Sequence, residues 1–378
     1  MKLVILSPVH IGDGEEIIPW EYAIENKHIK IFTVEKIISE LNKKFYGDKL
    51  RSLLLDLRNE LKNSKFHKNF GDFLRERNIN IEEDYKVENR ARLKSKGEYK
   101  SIKSFIKAGK KVYIPGSEVK GALRTVFIFG VVYKELEKGN SKLYNDIRKI
   151  IENALKKSEG KSPKERQGIW KRADEEISRL IFRNGAPKDD KGDAKYDIFK
   201  AVYVSDSDMK NPSECIYIDD IKLVGSGRQF FEPHELLKEG MEFNISIQID
   251  ENVKKALKKV YENPYMDYLT LENLKEFSYK FYRFLYNVEK EFFSRKDIDV
   301  KGLEDIKSRL EKGDFLLRIG KHQGFLSLTI MLMFYINKRL EEFYRKVYKS
   351  VVQRAGKEVN KTRKLTSENK LLGWVILK

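Results

Sequence analysis

The feature that most constrains the fold is a strand, a tight turn and a helix start in direct succession at residues 113–124. The strand ends in a Pro-Gly turn, and Ser117 after it is a good N-cap. Lys120 then lies at the third helical position, where free N–H groups and the helix dipole disfavour a cation, and Arg124 follows on the same face. A bound anion would remove this conflict, so both cations are predicted to converge on one phosphate. The alternative is an ordinary strand-to-helix connection with solvated cations.

A second glycine motif lies near the end of the chain, at residues 318–324. Gly320 and Gly324 bracket three residues between a predicted strand and a predicted helix, so the backbone there can approach a ligand closely. Alone, a pair of glycines at this spacing is a weak signal, but its place before a C-terminal helix strengthens it. Three flanking side chains can carry a positive charge: Arg318, Lys321 and His322.

Four segments together resemble the RAMP superfamily of CRISPR RNA-binding proteins. They follow the family's order: a first strand and loop at 7–14, the helix opening at 113–124, the glycine-rich loop at 318–324 and an ending at 361–365 with 372–374. The ending is most similar to the branch that forms the subunit at the crRNA 3′ end of type III-A (Csm-type) effector complexes. These segments span nearly the whole chain, whereas the long helical stretches between them match no motif.

The resemblance implies an α+β fold of two ferredoxin-like or RRM-like domains with helical insertions. A turn-rich joint at 206–214 is the expected boundary, which gives an N-terminal domain at 1–210 and a C-terminal domain at 211–378. Helices within about 137–185 have the character of an insertion. The pattern of strands and helices allows this duplicated architecture without proving it.

The resemblance also implies a non-catalytic subunit that binds crRNA, holds its 3′ portion and supports maturation of its 3′ end. The expected partners are other subunits of a Csm-type complex, especially the adjacent backbone RAMP subunit, and cellular nucleases are a further candidate. Because spacers vary, contacts are expected to phosphate, sugar and base faces. The residues expected to contact RNA are His10, Gly12, Gly14, Gly116, Ser117, Lys120, Arg124, Arg318, Gly320, Lys321, His322 and Gly324.

The alternative is a metal-independent endoribonuclease in which His10 and His322 act as general base and acid on a 2′-hydroxyl. The sequence does not show that the two histidines meet, and a loop or capping role is common for each. Paired acids such as Asp219 and Asp220 could hold Mg²⁺, although acids at strand ends more often cap turns. Related backbone subunits cut target RNA with an aspartate after the first strand, and residues 17–21 offer no clear match.

The composition favours a polyanionic partner. Lysine and arginine number 76 against 58 acidic residues, a net charge of +18 among 378 residues. A membrane surface is the second candidate, but no apolar run approaches the roughly 20 residues of a spanning helix, so no membrane partner and a cytoplasmic location are expected. Cys215 is the only cysteine and the five histidines lack ligand spacing, so no cofactor and no structural metal are predicted.

Four further local expectations follow from the sequence. Residues 86–124 carry 12 Lys and Arg against three Glu, and such runs are more often mobile loops than formed sites. Trp20, in a polar segment after Pro19, is the aromatic residue most expected to meet a nucleotide or a neighbouring subunit. The stretch from Phe325 to Tyr348 predicts one long helix. A turn at 225–231 is predicted to be a strand connection.

Overall fold

The computed structural model shows an α+β chain, as the sequence predicts. The structure describes residues 1–63, 67–95, 97–187, 194–225, 230–337, 340–352 and 362–378. The predicted turn at 225–231 lies mostly outside these residues. Within the described ranges, none of the helices combines the length and apolar character that a membrane-spanning segment needs.

Helices and strands alternate irregularly along the chain. The helices are α1 Val34–Lys44, α2 Gly47–Asn63, α3 Phe70–Glu76, α4 Gly116–Glu137, α5 Lys142–Ser158, α6 Pro163–Phe182, α7 Pro212–Cys215, α8 Glu251–Val260, α9 Leu271–Arg295, α10 Leu303–Glu311, α11 Met331–Tyr335 and α12 Glu341–Val352. The strands are β1 Lys2–Ile5, β2 Gly12–Ile17, β3 Tyr22–Glu25, β4 His28–Ile31, β5 Tyr85–Asn89, β6 Lys94–Ser95, β7 Glu98–Tyr99, β8 Ile102–Phe105, β9 Lys107–Ala108, β10 Lys111–Val112, β11 Val202–Val204, β12 Ile216–Val224, β13 Phe231–Leu237, β14 Glu242–Asn244, β15 Ile247–Ile249, β16 Phe315–Arg318, β17 Arg363–Thr366 and β18 Trp374–Leu377.

Two sheets carry most of the strands. The smaller sheet has the order β14-β1-β18-β16, with every neighbouring pair antiparallel. The larger sheet has the order β2-β8-β13-β12-β5-β4-β3, with β17 also paired to β12. Each sheet therefore takes strands from both sides of residue 210. The division into domains at 1–210 and 211–378, each ferredoxin-like, stays a prediction.

The central helix pair, α4 and α9, fixes the position of the α4 N-terminus relative to the sheets. Gly130 makes their close approach possible, because a Cβ at this position would overlap the Phe277 ring. Buried phenylalanines fill the contact, and the Phe129 and Phe281 rings meet edge to face with centroids 5.2 Å apart. One hydrophobic core thus joins residues from both halves of the chain.

Trp20 is buried, so the expectation of an exposed stacking residue is wrong. Only 2 % of its surface is exposed, and its ring packs edge to face on Phe73 of α3 at 6.0 Å. Pro19 begins a single 3₁₀ turn that directs Trp20 into a small separate core beneath α1 and α3. The ring supports the fold and offers no face to a nucleotide.

Two further local expectations are also wrong. The described part of the basic stretch at 86–124 is not a loop, because buried side chains such as Val87 and Phe105 anchor its strands in the larger sheet. The stretch after Phe325 breaks into a 3₁₀ turn, α11 and α12. Thr329 Oγ1 donates to Phe325 O at 2.9 Å and accepts from Met331 N at 3.3 Å, a local bonding pattern that competes with a continuous helix.

Candidate nucleic-acid interface

Segments far apart in sequence meet at one place, which we call the motif junction: residues 7–14, 318–324 and 372–374, with Glu118 from the start of α4. Lys321 N donates to His10 O at 2.8 Å, and Gly373 N donates to Pro8 O at 2.9 Å. Glu118 Oε2 accepts from Gly320 N at 3.2 Å, which attaches α4 to the same loops. Three of the four segments that resemble the family are thus in direct contact, and the fourth joins them through Glu118.

Glycines at the junction permit the loops to touch. Gly320 has φ +78°, and a Cβ there would clash with His10 O, whereas the exposed Gly14 and Gly324 have open space around the Cβ position. A Cβ on Gly12 would lie 2.6 Å from Lys321 Nζ and 3.0 Å from His10 Nε2. The predicted close backbone approach therefore exists at Gly320, and the group that approaches is the protein's own backbone.

Three histidines form a cluster at the junction: His10, His234 and His322. The ring of His234 packs edge to face on both others, with centroids 4.6 Å from His10 and 4.9 Å from His322. The His234 and His322 Nε2 atoms are 3.1 Å apart. The sequence left open whether His10 and His322 meet, and it missed His234, which lies in β13 with no local motif around it. Side chains alternate along a strand, so His234 shares a face with Leu236, and this is the one signal in the sequence that could have indicated its burial.

Backbone carbonyls determine which ring nitrogen carries the proton. His10 Nδ1 lies 2.8 Å from Glu235 O, and His234 Nδ1 lies 2.8 Å from Glu232 O. A carbonyl can only accept, so each neutral ring donates from Nδ1 and presents an acceptor lone pair at Nε2. His322 Nε2 then donates to His234 Nε2, while His10 Nε2 is buried without a hydrogen-bond partner.

Burial keeps the cluster neutral. Loss of hydration lowers the pKa of His10 to about 3, of His234 to about 4 and of His322 to about 2. Positive charge from Lys321 acts in the same direction on all three, and Lys364 adds to it at His234 and His322. Near pH 7 these rings are therefore hydrogen-bonding groups without charge.

Cationic groups surround the neutral rings. Lys321 is exposed, and among the described residues it has no carboxylate within ion-pair distance. Lys364 is half-buried, which lowers its pKa, while Lys103 pairs with Glu16 and, at 3.7 Å, with Glu232. A cavity of about 350 Å³ opens beside His322, and its wall includes Phe325, Tyr348, Arg363 and Lys364. The junction therefore combines unpaired positive charge, hydrogen-bonding rings and aromatic surface.

The opening of α4 differs from the sequence prediction. Pro115, not Ser117, is the N-cap, and Gly116 N donates to Asp206 Oδ1 at 2.8 Å. The Asp206 carboxylate thus occupies the helix N-terminus that was predicted to receive a phosphate. Ser117 is exposed on the first turn, and Lys120 moves to the fifth helical position.

The two cations of α4 point to different partners within the protein. Lys120 Nζ donates to Val202 O at 2.7 Å. Arg124 pairs with Asp197 at 3.0 Å and lies 3.8 Å from the Phe182 ring centroid. The Asp197 carboxylate also acts electrostatically on Lys120, so both cations lie near an acid of the protein itself, and their convergence on a bound phosphate stays a prediction. Contact of either residue with RNA stays a prediction.

Lys120 also lines a groove of about 690 Å³ between β11 and α8, which we call the Lys120 groove. Its wall includes Lys195, Lys200, Tyr203 and Leu257. Burial lowers the pKa of Lys120, and Tyr203 is 55 % exposed. The groove is a second basic surface, separate from the histidine cluster.

Arg318 belongs to the core rather than to an exposed surface. It is 2 % exposed, Arg318 Nε donates to Leu372 O at 2.9 Å, and Arg318 Nη1 lies 4.0 Å from Glu289. Contact between Arg318 and RNA stays a prediction, and it would require the surrounding loops to rearrange. In the described part of the chain, no three His, Cys, Asp or Glu side chains are arranged to hold a metal ion. Asp219 and Asp220 are buried, and burial raises the pKa of Asp219.

Comparisons with known proteins find relatives of this chain. The model of the RAMP superfamily matches residues 2–353. The chain is 26 % identical over 369 residues to CRISPR system Cms protein Csm5 of Methanocaldococcus jannaschii, covering 95 % of this chain and 79 % of the relative. It is 28 % identical over 214 residues to the protein of the same name from Streptococcus thermophilus, covering 55 % of this chain and 50 % of the relative.

Two solved structures have a similar fold over the whole chain. A chain in the cryo-EM structure of a Csm-crRNA-target RNA ternary complex of a type III-A CRISPR-Cas system has a TM-score of 0.74 at 21 % identity, and covers 100 % of this chain and 99 % of its own. The crystal structure of T. onnurineus Csm5 has a TM-score of 0.72 at 20 % identity, with complete coverage of both chains.

Proposed function

The chain belongs to the RAMP superfamily, and from this premise we propose that it is an RNA-binding subunit of a type III-A CRISPR effector complex. Two relatives of this chain bear the name Csm5, and similar folds occur in a Csm-crRNA-target RNA complex and in a crystal structure of Csm5. The observation that carries the proposal is the motif junction. Four segments with the family's pattern, drawn from residues 7 to 374, build one basic surface at which Lys321 has no carboxylate partner within the part of the chain that the structure describes.

In its finer form the proposal gives this subunit the 3′ portion of the crRNA. The chain would lie at the end of the row of backbone RAMP subunits and contact the adjacent one. It would support 3′-end maturation, with cellular nucleases as further partners. The C-terminal ending at 361–374 supports this branch, and its described part is built into the junction through Gly373.

Binding is proposed to be independent of sequence. A guide spacer differs from one crRNA to the next, so contacts must go to groups that every nucleotide shares. Lys321 and Lys364 offer positive charge to phosphates, a group that every nucleotide carries. The subunit would then grip the guide by its sugar-phosphate backbone.

A non-catalytic role agrees with the chemistry of the histidine cluster. A general acid must be protonated near the working pH, and the pKa of His322, lowered to about 2, leaves it neutral. The pKa of His10, lowered to about 3, makes it a weak base. One observation favours the endoribonuclease alternative: the rings of His10 and His322 stack at 6.2 Å.

Incubation of the pure chain with repeat RNA, with and without EDTA, separates the two functions. We expect binding without specific cleavage. Specific cleavage that persists in EDTA and is abolished by His10→Ala would establish the endoribonuclease instead.

The salt dependence of RNA affinity tests directly whether the chain binds RNA through charge contacts with phosphates. If about six phosphates are neutralised, log K should fall against log salt with a slope of about −4. Lys321→Ala should reduce the steepness of that slope by about 0.7 and weaken unrelated single-stranded RNAs alike. His28→Gln, at an exposed position in β4, is the control. An affinity independent of salt, or native complexes without guide RNA, would contradict the proposal.

A further inference from the structure

Within the histidine cluster, one ring atom lacks the partner that its chemistry requires. His10 is 1 % exposed, its Nδ1–H is donated to Glu235 O, and its Nε2 acceptor has no hydrogen-bond donor. A buried acceptor without a donor is costly, and at a candidate binding site it indicates a missing ligand group. That group must donate a hydrogen bond, because the lone pair of a neutral ring repels another acceptor.

A small space beside Gly12, which the end of the Lys321 side chain fills in this structure, adjoins this acceptor. The position that a Cβ on Gly12 would occupy lies 3.0 Å from His10 Nε2 and 2.6 Å from Lys321 Nζ. A neutral acceptor and a cation therefore flank the same point, which becomes free for a ligand when the Lys321 side chain moves away. The atom that covers His10 Nε2 on this side is the end of the exposed Lys321 side chain, which can swing outward to meet a ligand.

The RNA backbone carries a matching pair of groups. Phosphate oxygens only accept hydrogen bonds, and the ribose 2′-hydroxyl is the only donor along the sugar-phosphate chain. We propose that one ribose of the bound RNA enters this space, where its 2′-hydroxyl donates to His10 Nε2 and its 3′-phosphate accepts from Lys321 Nζ. The inference rests on the proposed function and adds to it a selection of RNA over DNA at one nucleotide.

The first test compares RNA with DNA. A fluorescein-labelled single-stranded 15-nucleotide RNA and its DNA counterpart are titrated with wild type, His10→Phe, Lys321→Ala and the exposed control His28→Phe. We expect His10→Phe to weaken RNA binding about fivefold, the value of one net hydrogen bond, and to leave DNA binding within twofold. Lys321→Ala should weaken both by the same factor, and His28→Phe should change neither.

The second test locates the hydroxyl. A series of the same RNA carries a single 2′-deoxy substitution at each position in turn. In wild type, at least one position should cost about fivefold in affinity, and the same substitution should cost nothing further in His10→Phe, as in a double-mutant cycle.

If His10→Phe fails to fold, Gly12→Ala replaces it, because the added methyl would fill the proposed ribose space and should abolish the RNA preference. Equal loss of RNA and DNA affinity in the folded variant, or no sensitive position in wild type, would overturn the inference and leave RNA binding intact. Absence of RNA binding by wild type would instead contradict the proposed function itself.

Discussion

The motif junction and the opening of α4 were predicted from the same kind of pattern, a glycine turn followed by cations, and the structure treats them differently. At the junction, Lys321 has no carboxylate partner among the described residues. At α4, Arg124 pairs with Asp197, and Asp206 occupies the helix N-terminus. Both acids lie more than 70 residues after α4 begins. A local motif thus places a cation, and a distant segment decides whether a ligand can use it.

The largest effect should come from Gly320, on which the junction depends. Gly320→Ala puts a methyl against His10 O at a positive φ, and should cost more than about 3 kcal/mol in the free energy of unfolding. Gly240→Ala is the matched control, because its φ of +80° is similar but the space around it is empty, and it should cost about 1 kcal/mol. Urea unfolding measures both. Equal costs would mean that the loops do not dock as described.

Substitution of Arg124 should lower the stability of the fold, whereas substitution of Lys321 should weaken RNA binding. Arg124→Ala removes an ion pair and a contact with the Phe182 ring, and leaves the buried Asp197 without its ion-pair partner, at a cost of about 2 kcal/mol in unfolding free energy. RNA affinity of the folded variant should stay within twofold of wild type. Lys321→Ala should do the reverse. A loss of RNA affinity without loss of stability in Arg124→Ala would show that α4 contributes to the RNA-binding surface.

The histidine cluster should make stability depend on pH. The pKa of His234 falls to about 4 in the folded protein from an ordinary value near 6.5, so below pH 6.5 the unfolded chain binds a proton that the folded chain does not. Stability should therefore fall as pH falls from 6.5 towards 4, by up to about 1.4 kcal/mol per pH unit for this residue.

His234→Leu should remove the contribution of this residue to the pH dependence of the free energy of unfolding. Urea unfolding between pH 7 and 5 measures it. Arg124→Ala is the comparison, because residues 113–124 contain no histidine and the slope should match wild type. An unchanged slope in His234→Leu would show that the ring is solvated.

Sequence reasoning succeeded where a signal is local. The Pro-Gly turn before Ser117 predicts that a helix begins there, and α4 begins at Gly116; the α+β class that the resemblance implies is also confirmed. It failed where a side chain's partner comes from elsewhere in the chain. Trp20 was expected at the surface because its neighbours are polar, and only tertiary packing brings Phe73 over it. His234 was overlooked because an isolated histidine in a strand carries no signal of the rings it meets.

Substitution of Lys120 should have the smallest effect. Its result shows whether the Lys120 groove binds RNA, as the motif junction is proposed to do. Lys120→Met keeps the aliphatic part of the side chain but removes the donor to Val202 O. The free energy of unfolding should therefore fall by about 1 kcal/mol, while RNA affinity stays within twofold of wild type. Lys200→Met, at an exposed position lining the same groove, should change neither. If Lys120→Met instead leaves stability intact and makes the salt dependence of RNA binding less steep by about 0.7, the groove carries a phosphate and both regions bind the guide.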